Sequence, residues 1–276
     1  MSDPRLALEA IGTLPDVEID IAQAALQLGR IDAPRANWAA AEAHLSDIAR
    51  QASAMAKAMD TTETPAERAE CLTGLIALRY GYRGDAQTYD DPANANLIRV
   101  TERRMGLPVA LGIIWLHATR AAGWGAHGVD FPGHFLLAFE GKGQQAVVDV
   151  FGGGTPLDAR DLRILIKRVE GPDAELRPGV LQPMNARHVL LRLQNNIKLR
   201  RLQAGDLAGA VVCARDMLRL APDTAPLWRE AAIMHQRGGE VAAALECYER
   251  FVALVPQGEA AARVREAMAR LRSRLN

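Results

Sequence analysis

The chain has 276 residues with 33 basic and 33 acidic side chains, so its formal net charge at pH 7 is zero. This length suffices for about two domains, and a hydrophobic share of 49% excludes collagen-like and wholly disordered chains. Zero net charge gives no electrostatic reason to expect nucleic-acid or membrane binding. The 3 cysteines cannot all pair within the chain, and no apolar stretch approaches the roughly 20 residues of a membrane helix. We therefore predict a cytoplasmic protein.

Apolar side chains in the N-terminal part recur at helical spacing. Along residues 38–59 they recur every seven residues, with a second set three residues further on, which predicts an amphipathic helix. Another helix is predicted to begin at Pro65, because Thr64 and Glu67 have the spacing of a capping box. Its buried stripe is expected to contain the apolar residues Cys71, Leu72, Leu75, Ile76 and Leu78.

The middle of the chain combines a buried helix with short strands. After a short helix at residues 97–104, a second helix is predicted to begin at Pro108 and to end before Gly123. It is apolar on nearly every side, which is typical of a fully buried helix. Three strand-like runs follow, with a Gly-rich hairpin segment before the last of them: residues 124–131, 134–139 and 144–151. These patterns predict an α+β core with a short antiparallel sheet.

The end of this core is marked by a predicted helix start and by loop composition. Residues 155–158 have the composition of a capped helix start, and the helix is expected to run through Ile166. The segment at residues 171–183 is rich in Pro and Gly, which predicts a linker. We therefore predict two domains, at residues 1–180 and 184–276.

The C-terminal part carries an internal repeat with a period of about 34 residues, which is the tetratricopeptide signature. One helical hairpin cannot bury its apolar face alone, so such hairpins stack at a fixed period. We expect the helices around residues 189–199 and 261–275 to cover the two ends. Five positions recur at the same offset: Gly205 with Gly239, Ala210 with Ala244, Cys213 with Cys247, Leu220 with Leu254, and Pro222 with Pro256.

His134 begins one predicted strand and Asp149 lies near the end of the next. This order is found in papain-like and transglutaminase-like cores, where a Cys at the start of the buried helix is the nucleophile. The His is its base, and the Asp orients the His. If Phe139 faces Gln144 across the turn, then His134 directly faces Asp149, whereas another loop length shifts this register.

Three segments, residues 96–108, 128–136 and 148–153, resemble the bacterial SirB-type proteins, which combine a transglutaminase-like core with tetratricopeptide repeats. Residues 190–198 are similar to the segment that leads into the repeats of that family. The resemblance covers nearly the whole chain, from about residue 37 to the C-terminus. It implies an α+β protein in which a degenerate transglutaminase-like (papain-like) core with a short antiparallel sheet precedes an all-α repeat tail.

The nucleophile of active transglutaminases is absent from the matching position. Their Gly-x-Cys corresponds here to Gly106-Leu107-Pro108, and the side chain of proline has no nucleophilic atom. We therefore predict a noncatalytic, regulatory interaction protein that keeps His134 and Asp149 as a residual dyad, with Pro108 at the nucleophile position. The alternative is a hydrolase or acyltransferase in which this dyad acts with a recruited nucleophile, either Cys71 or water.

Neither a metal nor a cofactor is predicted. His117, His127 and His134 lack the spacing of familiar metal ligands. The run Gly152-Gly153-Gly154 predicts a tight turn at the end of a strand, since it does not follow dinucleotide or phosphate-loop patterns.

A protein or peptide partner is expected to bind the repeat tail, as arrays of this kind present concave binding surfaces. We predict no nucleic-acid partner and no membrane contact, and the sequence indicates no oligomeric state. Thr101 and Thr119 are interpreted as surface or capping residues. Two basic clusters are interpreted as solvated helix faces, with an acidic partner or RNA as the alternative: Arg99, Arg103 and Arg104, and Arg187, Lys198, Arg200 and Arg201.

Overall fold

The computed structural model describes residues 3–59, 64–177 and 179–273. The first five α-helices are α1 (Pro4–Gly12), α2 (Ile21–Asp32), α3 (Trp38–Ala58), α4 (Pro65–Leu72) and α5 (Leu97–Arg103). Then follow α6 (Pro108–Ala121), α7 (Ala159–Glu170), α8 (Ala186–Gln203), α9 (Leu207–Leu220), α10 (Ala225–Arg237), α11 (Val241–Leu254) and α12 (Glu259–Arg272). The strands are β1 (Arg83–Gly84), β2 (Met105–Gly106), β3 (Gly125–Phe131), β4 (His134–Gly141), β5 (Gln144–Asp149), β6 (Thr155–Leu157) and β7 (Pro183–Met184). None of the helices in these ranges is both long and apolar enough to cross a membrane.

The chain forms two compact units. One comprises residues 14–193, and the other comprises residues 194–276 together with residues 1–13. The units therefore divide the chain inside α8, later than the predicted domain boundary, and α1 belongs with the C-terminal helices. The α+β class, with a small antiparallel sheet and an all-helical C-terminal part, is confirmed.

The first unit is built around a buried helix and a five-stranded antiparallel sheet with the order β6-β5-β4-β3-β7. As predicted, α6 begins at Pro108 and ends before Gly123, and it packs against β3 and β4 on one side and α3 on another. Every residue of α6 from Pro108 to Trp115 is buried, because an all-apolar helix has no face to offer to water. Leu116 is only half-buried, so burial is less complete in the second half of the helix.

The hairpin between β4 and β5 corrects the predicted register. A two-residue turn, Lys142-Gly143, connects the strands, and both residues have positive φ angles of 52° and 72°. Gly141 therefore faces Gln144, and Phe139 faces Ala146 instead of Gln144. The error is two residues, which leaves every side chain on its predicted face of the sheet, since side chains alternate with a period of two.

Two helix predictions need correction. The chain around residues 155–158 forms β6, which pairs with β5, and α7 begins only after its capping residue, Asp158. The helix predicted from Pro65 has the expected capping box at Thr64, but from Thr73 to Arg79 it continues as a π-helix. The wider turn of a π-helix changes the direction of the side chains that follow. Leu78, predicted to be buried, is 80% exposed for this reason.

The second unit keeps the internal repeat. Gly205 and Gly239 precede α9 and α11 with φ angles of 77° and 76°, a conformation that glycine adopts without strain. Ala210 and Ala244 are fully buried in the same hydrophobic cluster, where small residues let helices approach closely. In the described part of the flanking region, α12 packs on α11. Leu254 departs from its equivalent, because it is 38% exposed whereas Leu220 is fully buried.

Candidate functional site

His134 and Asp149 are brought together by the sheet. His134 is the first residue of β4 and Asp149 the last of β5, and His134 Nε2 lies 2.9 Å from Asp149 Oδ1. In the observed register His134 and Asp149 are diagonal neighbours on the two strands instead of directly opposite residues, and their side chains meet across this diagonal. The side chains are 19% and 20% exposed, so both groups remain partly accessible to water.

The carboxylate of Asp149 fixes the imidazole in one orientation. Nε2–H donates to the carboxylate, which leaves the lone pair on Nδ1. Within the described ranges, Nδ1 of His134 has no hydrogen-bond partner. Such an imidazole can accept a proton or a hydrogen bond at Nδ1, which is the role of the base in nucleophilic catalysis.

Asp149 is itself held by the turn that follows β5. The N–H of Phe151 donates to Asp149 Oδ1 at 2.9 Å, and the N–H of Gly152 also bonds to the carboxylate. Burial alone raises the pKa of Asp149, but the hydrogen bond and charge of His134, with the two backbone N–H groups, lower it below the usual value. Asp149 therefore stays ionised at neutral pH.

The three glycines after Phe151 make this turn possible, as predicted. Gly153 and Gly154 have φ angles of 80° and 91°, and the N–H of Gly154 donates to the carbonyl oxygen of Asp149 at 2.8 Å. A Cβ at Gly154 would lie 2.4 Å from Thr73 Oγ1 and 2.5 Å from Trp115 Cη2. Only glycine fits between these side chains at this φ angle.

The first turn of α6 lies near the His134 end of β4. A Cβ at Gly112, one turn after Pro108, would lie 2.2 Å from Cε1 of Phe135, the residue next to His134. In the segment before α6, the N–H of Gly84 in β1, which pairs with Gly106, donates to the carbonyl oxygen of Phe151 at 3.0 Å. No side chain from Leu107 to Ile114 carries a nitrogen, oxygen or sulfur atom. The start of this helix therefore offers the imidazole no nucleophile.

Cys71, the alternative nucleophile, is half-buried on α4. Burial raises the pKa of its thiol, which favours the unreactive protonated form. Among the described residues the sulfur has no hydrogen-bond partner, so it is not bonded to His134. A nucleophile and its base must reach hydrogen-bond distance, and the observed arrangement of Cys71 does not provide this.

Two residues that the sequence interpretation missed contact His134, and a third packs on one of them. The ring of Phe151 lies 6.3 Å from the imidazole, edge-on, and the ring of Tyr89 lies 5.8 Å from that of Phe151. Arg192 Nη2 donates to the carbonyl oxygen of His134 at 2.8 Å. Phe151 lies in one of the segments that carry the family resemblance, but Tyr89 precedes α5 and Arg192 belongs to the distant helix α8, so no local pattern connects them to His134.

The interpretation of the two basic clusters as solvated helix faces needs correction, because members of both clusters pair with acidic side chains. Arg103 Nη2 lies 3.0 Å from Asp85 Oδ2, and hydrogen bonds from Thr88 lower the pKa of this carboxyl to about 2, with Arg103 contributing. Lys198 is 1% exposed and contacts Glu230 at 2.6 Å. Both cations form ion pairs within the protein, as expected for partly or fully buried charges, which need a partner. Two other members also bind acidic residues, Arg99 with Glu102 and Arg187 with Asp16.

Two threonines are buried, which corrects their interpretation as surface or capping residues. Thr101 Oγ1 donates to the carbonyl oxygen of Ile98 and Thr119 Oγ1 to that of Trp115, each at 2.7 Å. Both hydroxyls are thus satisfied by their own helices. In the ranges that the structure describes, no three His, Cys, Asp or Glu side chains are grouped so that they could hold a metal ion.

Replacing Asp149 with Asn should make stability less dependent on acid pH. Since the pKa of Asp149 is lowered by folding, its ionised form contributes stability above the unfolded pKa of about 4, and this contribution is lost as the pH falls through the folded value. Urea denaturation at pH 7 and pH 3 should show a larger loss for the wild type than for Asp149→Asn. Equal losses in the two proteins would contradict the proposed role of the carboxylate.

Comparison with known proteins identifies both parts of the chain. A family described as the transglutaminase-like superfamily matches residues 39–195, and a tetratricopeptide-repeat family matches residues 197–269. The chain is similar to a UPF0162 protein of Xylella fastidiosa, with 33% identity over 181 residues, which cover 64% of each chain. A UPF0162 protein of Pseudomonas aeruginosa is 28% identical over 221 residues, 80% of this chain and 78% of that protein.

A shorter similarity links the chain to F-box only protein 21 of Mus musculus, at 25% identity over 124 residues, 42% of this chain and 19% of that protein. The match to the Xylella protein spans 64% of that protein's length. The prediction of a transglutaminase-like core followed by tetratricopeptide repeats is confirmed.

Proposed function

Because the chain belongs to the transglutaminase-like superfamily and ends in tetratricopeptide repeats, we propose that it is a noncatalytic protein that binds a protein or peptide partner through its repeat unit. The observation that carries this proposal is the pairing of an intact His134–Asp149 contact with Pro108 at the start of the buried helix. Pro108 offers this imidazole no thiol or hydroxyl at the position where active transglutaminases carry their nucleophile, which argues against acyl transfer through a covalent intermediate.

A groove in the second unit supplies a partner-binding surface. Its volume is 580 Å³, and it is lined by residues of α9, α10 and α11, among them Arg215, Trp228 and Arg250. The guanidinium of Arg250 lies 5.5 Å from the centroid of the Trp228 ring. Arg219 is occupied by Asp216 and Glu9, whereas Arg215 and Arg250 form no ion pair with any described residue. The two arginines favour a partner segment that carries carboxylates.

One observation favours a second candidate function. Nδ1 of His134 is unpaired among the described residues, and the side chain is partly exposed. A water molecule at Nδ1 could be activated by the imidazole, which would make the protein a hydrolase without a covalent intermediate. Recruitment of Cys71 would instead require a different arrangement of its thiol, since the thiol is not hydrogen-bonded to His134 in this structure.

Capture from a lysate of the source organism with the full chain as bait tests the proposal. The variant Arg215→Glu/Arg250→Glu should lose the captured partner, because the charge reversal repels carboxylates. The control Arg229→Glu/Arg237→Glu makes the same charge change at two exposed positions of α10 and should retain it.

His134→Ala should also retain the partner, since the dyad lies in the other unit. Loss of the partner with His134→Ala but not with the Arg215/Arg250 variant would overturn the proposal, because the core would then carry the binding function. Equal retention in all variants would overturn the assignment of the groove.

A further inference from the structure

One edge of the sheet is left unpaired over part of its length. β3 pairs with β4 from Gly125 to Phe131, but with β7 only at Gly128 and Val129. The two-residue turn Pro132-Gly133 makes Phe131 and His134 a hydrogen-bonded pair. Every second residue of β3, counted back from Phe131, therefore directs its N–H and C=O toward β4. The N–H and C=O of Ala126 therefore point away from β4. Neither group has a partner among the described residues.

A cavity of 420 Å³ lies directly beside this edge. The residues that line it include Leu116, Trp124 and Ala126, together with Val17 and Met184. Most of the lining is apolar, and the side chain of Val17 is 83% exposed. An exposed apolar wall next to unpaired main-chain groups is the combination that an added strand requires, with backbone bonds for affinity and a pocket for a side chain.

Hydrogen bonds fix the segment that contributes Asp16, Val17 and Ile19 to the lining of the cavity. Arg120 donates to the carbonyl oxygens of Ile19 at 2.6 Å and Val17 at 3.3 Å. Arg187 Nε, at the start of α8, donates to Asp16 Oδ1 at 2.8 Å. These contacts fix the position of the segment at residues 16–19 beside the edge of β3. A preformed site of this kind avoids much of the entropic cost of binding.

We propose that the edge of β3 at Ala126 binds a short extended segment of another protein, with an apolar side chain of that segment in the adjacent cavity. Ala126 is two residues from Gly128, which pairs with β7, so its outward N–H and C=O lie at the next position of the β3–β7 ladder, and an extended segment bound there would continue that ladder. This surface lies in the first unit, and the proposal is independent of partner binding by the repeats.

The test uses a phage-displayed library of random dodecapeptides selected on the full chain, followed by anisotropy measurements with fluorescein-labelled synthetic copies of the enriched peptides. Ala126→Pro removes the outward N–H without touching the β3–β4 bonds, and Val17→Asp places a charge on the cavity wall. Each should weaken binding by about tenfold or more. Leu78→Asp, a matched change at an exposed apolar residue outside the cavity, should alter binding by less than about twofold.

If Ala126→Pro does not fold, the binding test uses peptides N-methylated at alternate residues in place of this variant. Methylation removes the peptide N–H that would donate a hydrogen bond to the carbonyl oxygen of Ala126. At least one methylated register should then lose binding. Three outcomes overturn the proposal: no enriched peptide, enriched peptides unaffected by Val17→Asp and by methylation, or a dimer of the chain that Val17→Asp dissociates. The last result would make a second copy the occupant of the edge.

Discussion

Replacing Gly112 with alanine should destabilise the protein, although alanine favours a helix interior over glycine by about 1 kcal/mol. Gly112 lies in the middle of α6, and a Cβ there would lie 2.2 Å from Cε1 of Phe135 and within 3.1 Å of two more atoms of that ring. Phe135 is 1% exposed and also packs on Gly128, so its ring has no free space to enter. We expect a net loss of about 1–3 kcal/mol in the free energy of unfolding, measured by urea denaturation.

Gly74→Ala is the matched control. Gly74 lies in the π-helical segment, and a Cβ there would meet no atom within 4 Å. This variant should be neutral or slightly more stable than the wild type, since alanine lowers the entropy of the unfolded chain. If Gly112→Ala proved as stable as Gly74→Ala, the close packing of α6 on β4, and with it the position of the helix start beside His134, would be wrong.

Truncating Ile113 should cost more stability than removing the imidazole of His134. Ile113 is completely buried in α6, and its replacement by alanine leaves a cavity that costs about 2–5 kcal/mol. His134→Ala removes one hydrogen bond to Asp149, which keeps its bonds from the N–H groups of Phe151 and Gly152, so the loss should be about 1–2 kcal/mol.

Leu116→Ala provides an intermediate case within the same helix. Its side chain is only half-buried, so truncation removes less apolar contact than at Ile113. A series of melting temperatures should therefore rank Ile113→Ala as the least stable protein. A result with His134→Ala as the least stable of the three would show that the dyad stabilises the fold more than the core of α6 does.

The sequence was sufficient to predict the elements that depend on local chemistry. The start of α6 at Pro108 and the capping box at Thr64 follow from residues within one helical turn, and the structure has both. The repeat that contains Gly205 and Gly239 was predictable because each repeat uses the same backbone turn. The contact between His134 and Asp149 was expected for the correct reason, neighbouring strands, but with a hairpin register two residues in error.

The rest depends on tertiary structure or on subtle backbone geometry. Apolar periodicity does not encode a π-helical segment, so the prediction that Leu78 is buried is wrong. The ion pairs that occupy Arg103 and Lys198 join residues far apart in the chain, and no spacing rule predicts them. The approach of Tyr89 to Phe151 likewise arises only when a loop folds over the turn that follows β5.

The proposed noncatalytic function requires that His134 has no nucleophile to activate. The most direct measurement is the hydrolysis of a panel of activated esters and aminoacyl amides by the wild type, His134→Ala and Cys71→Ala, at pH values from 6 to about 9, spanning the titration of imidazole and thiol. We expect all three proteins to leave the rate at the buffer background. Turnover by the wild type that disappears in His134→Ala would contradict it, and its loss in Cys71→Ala would identify the recruited thiol.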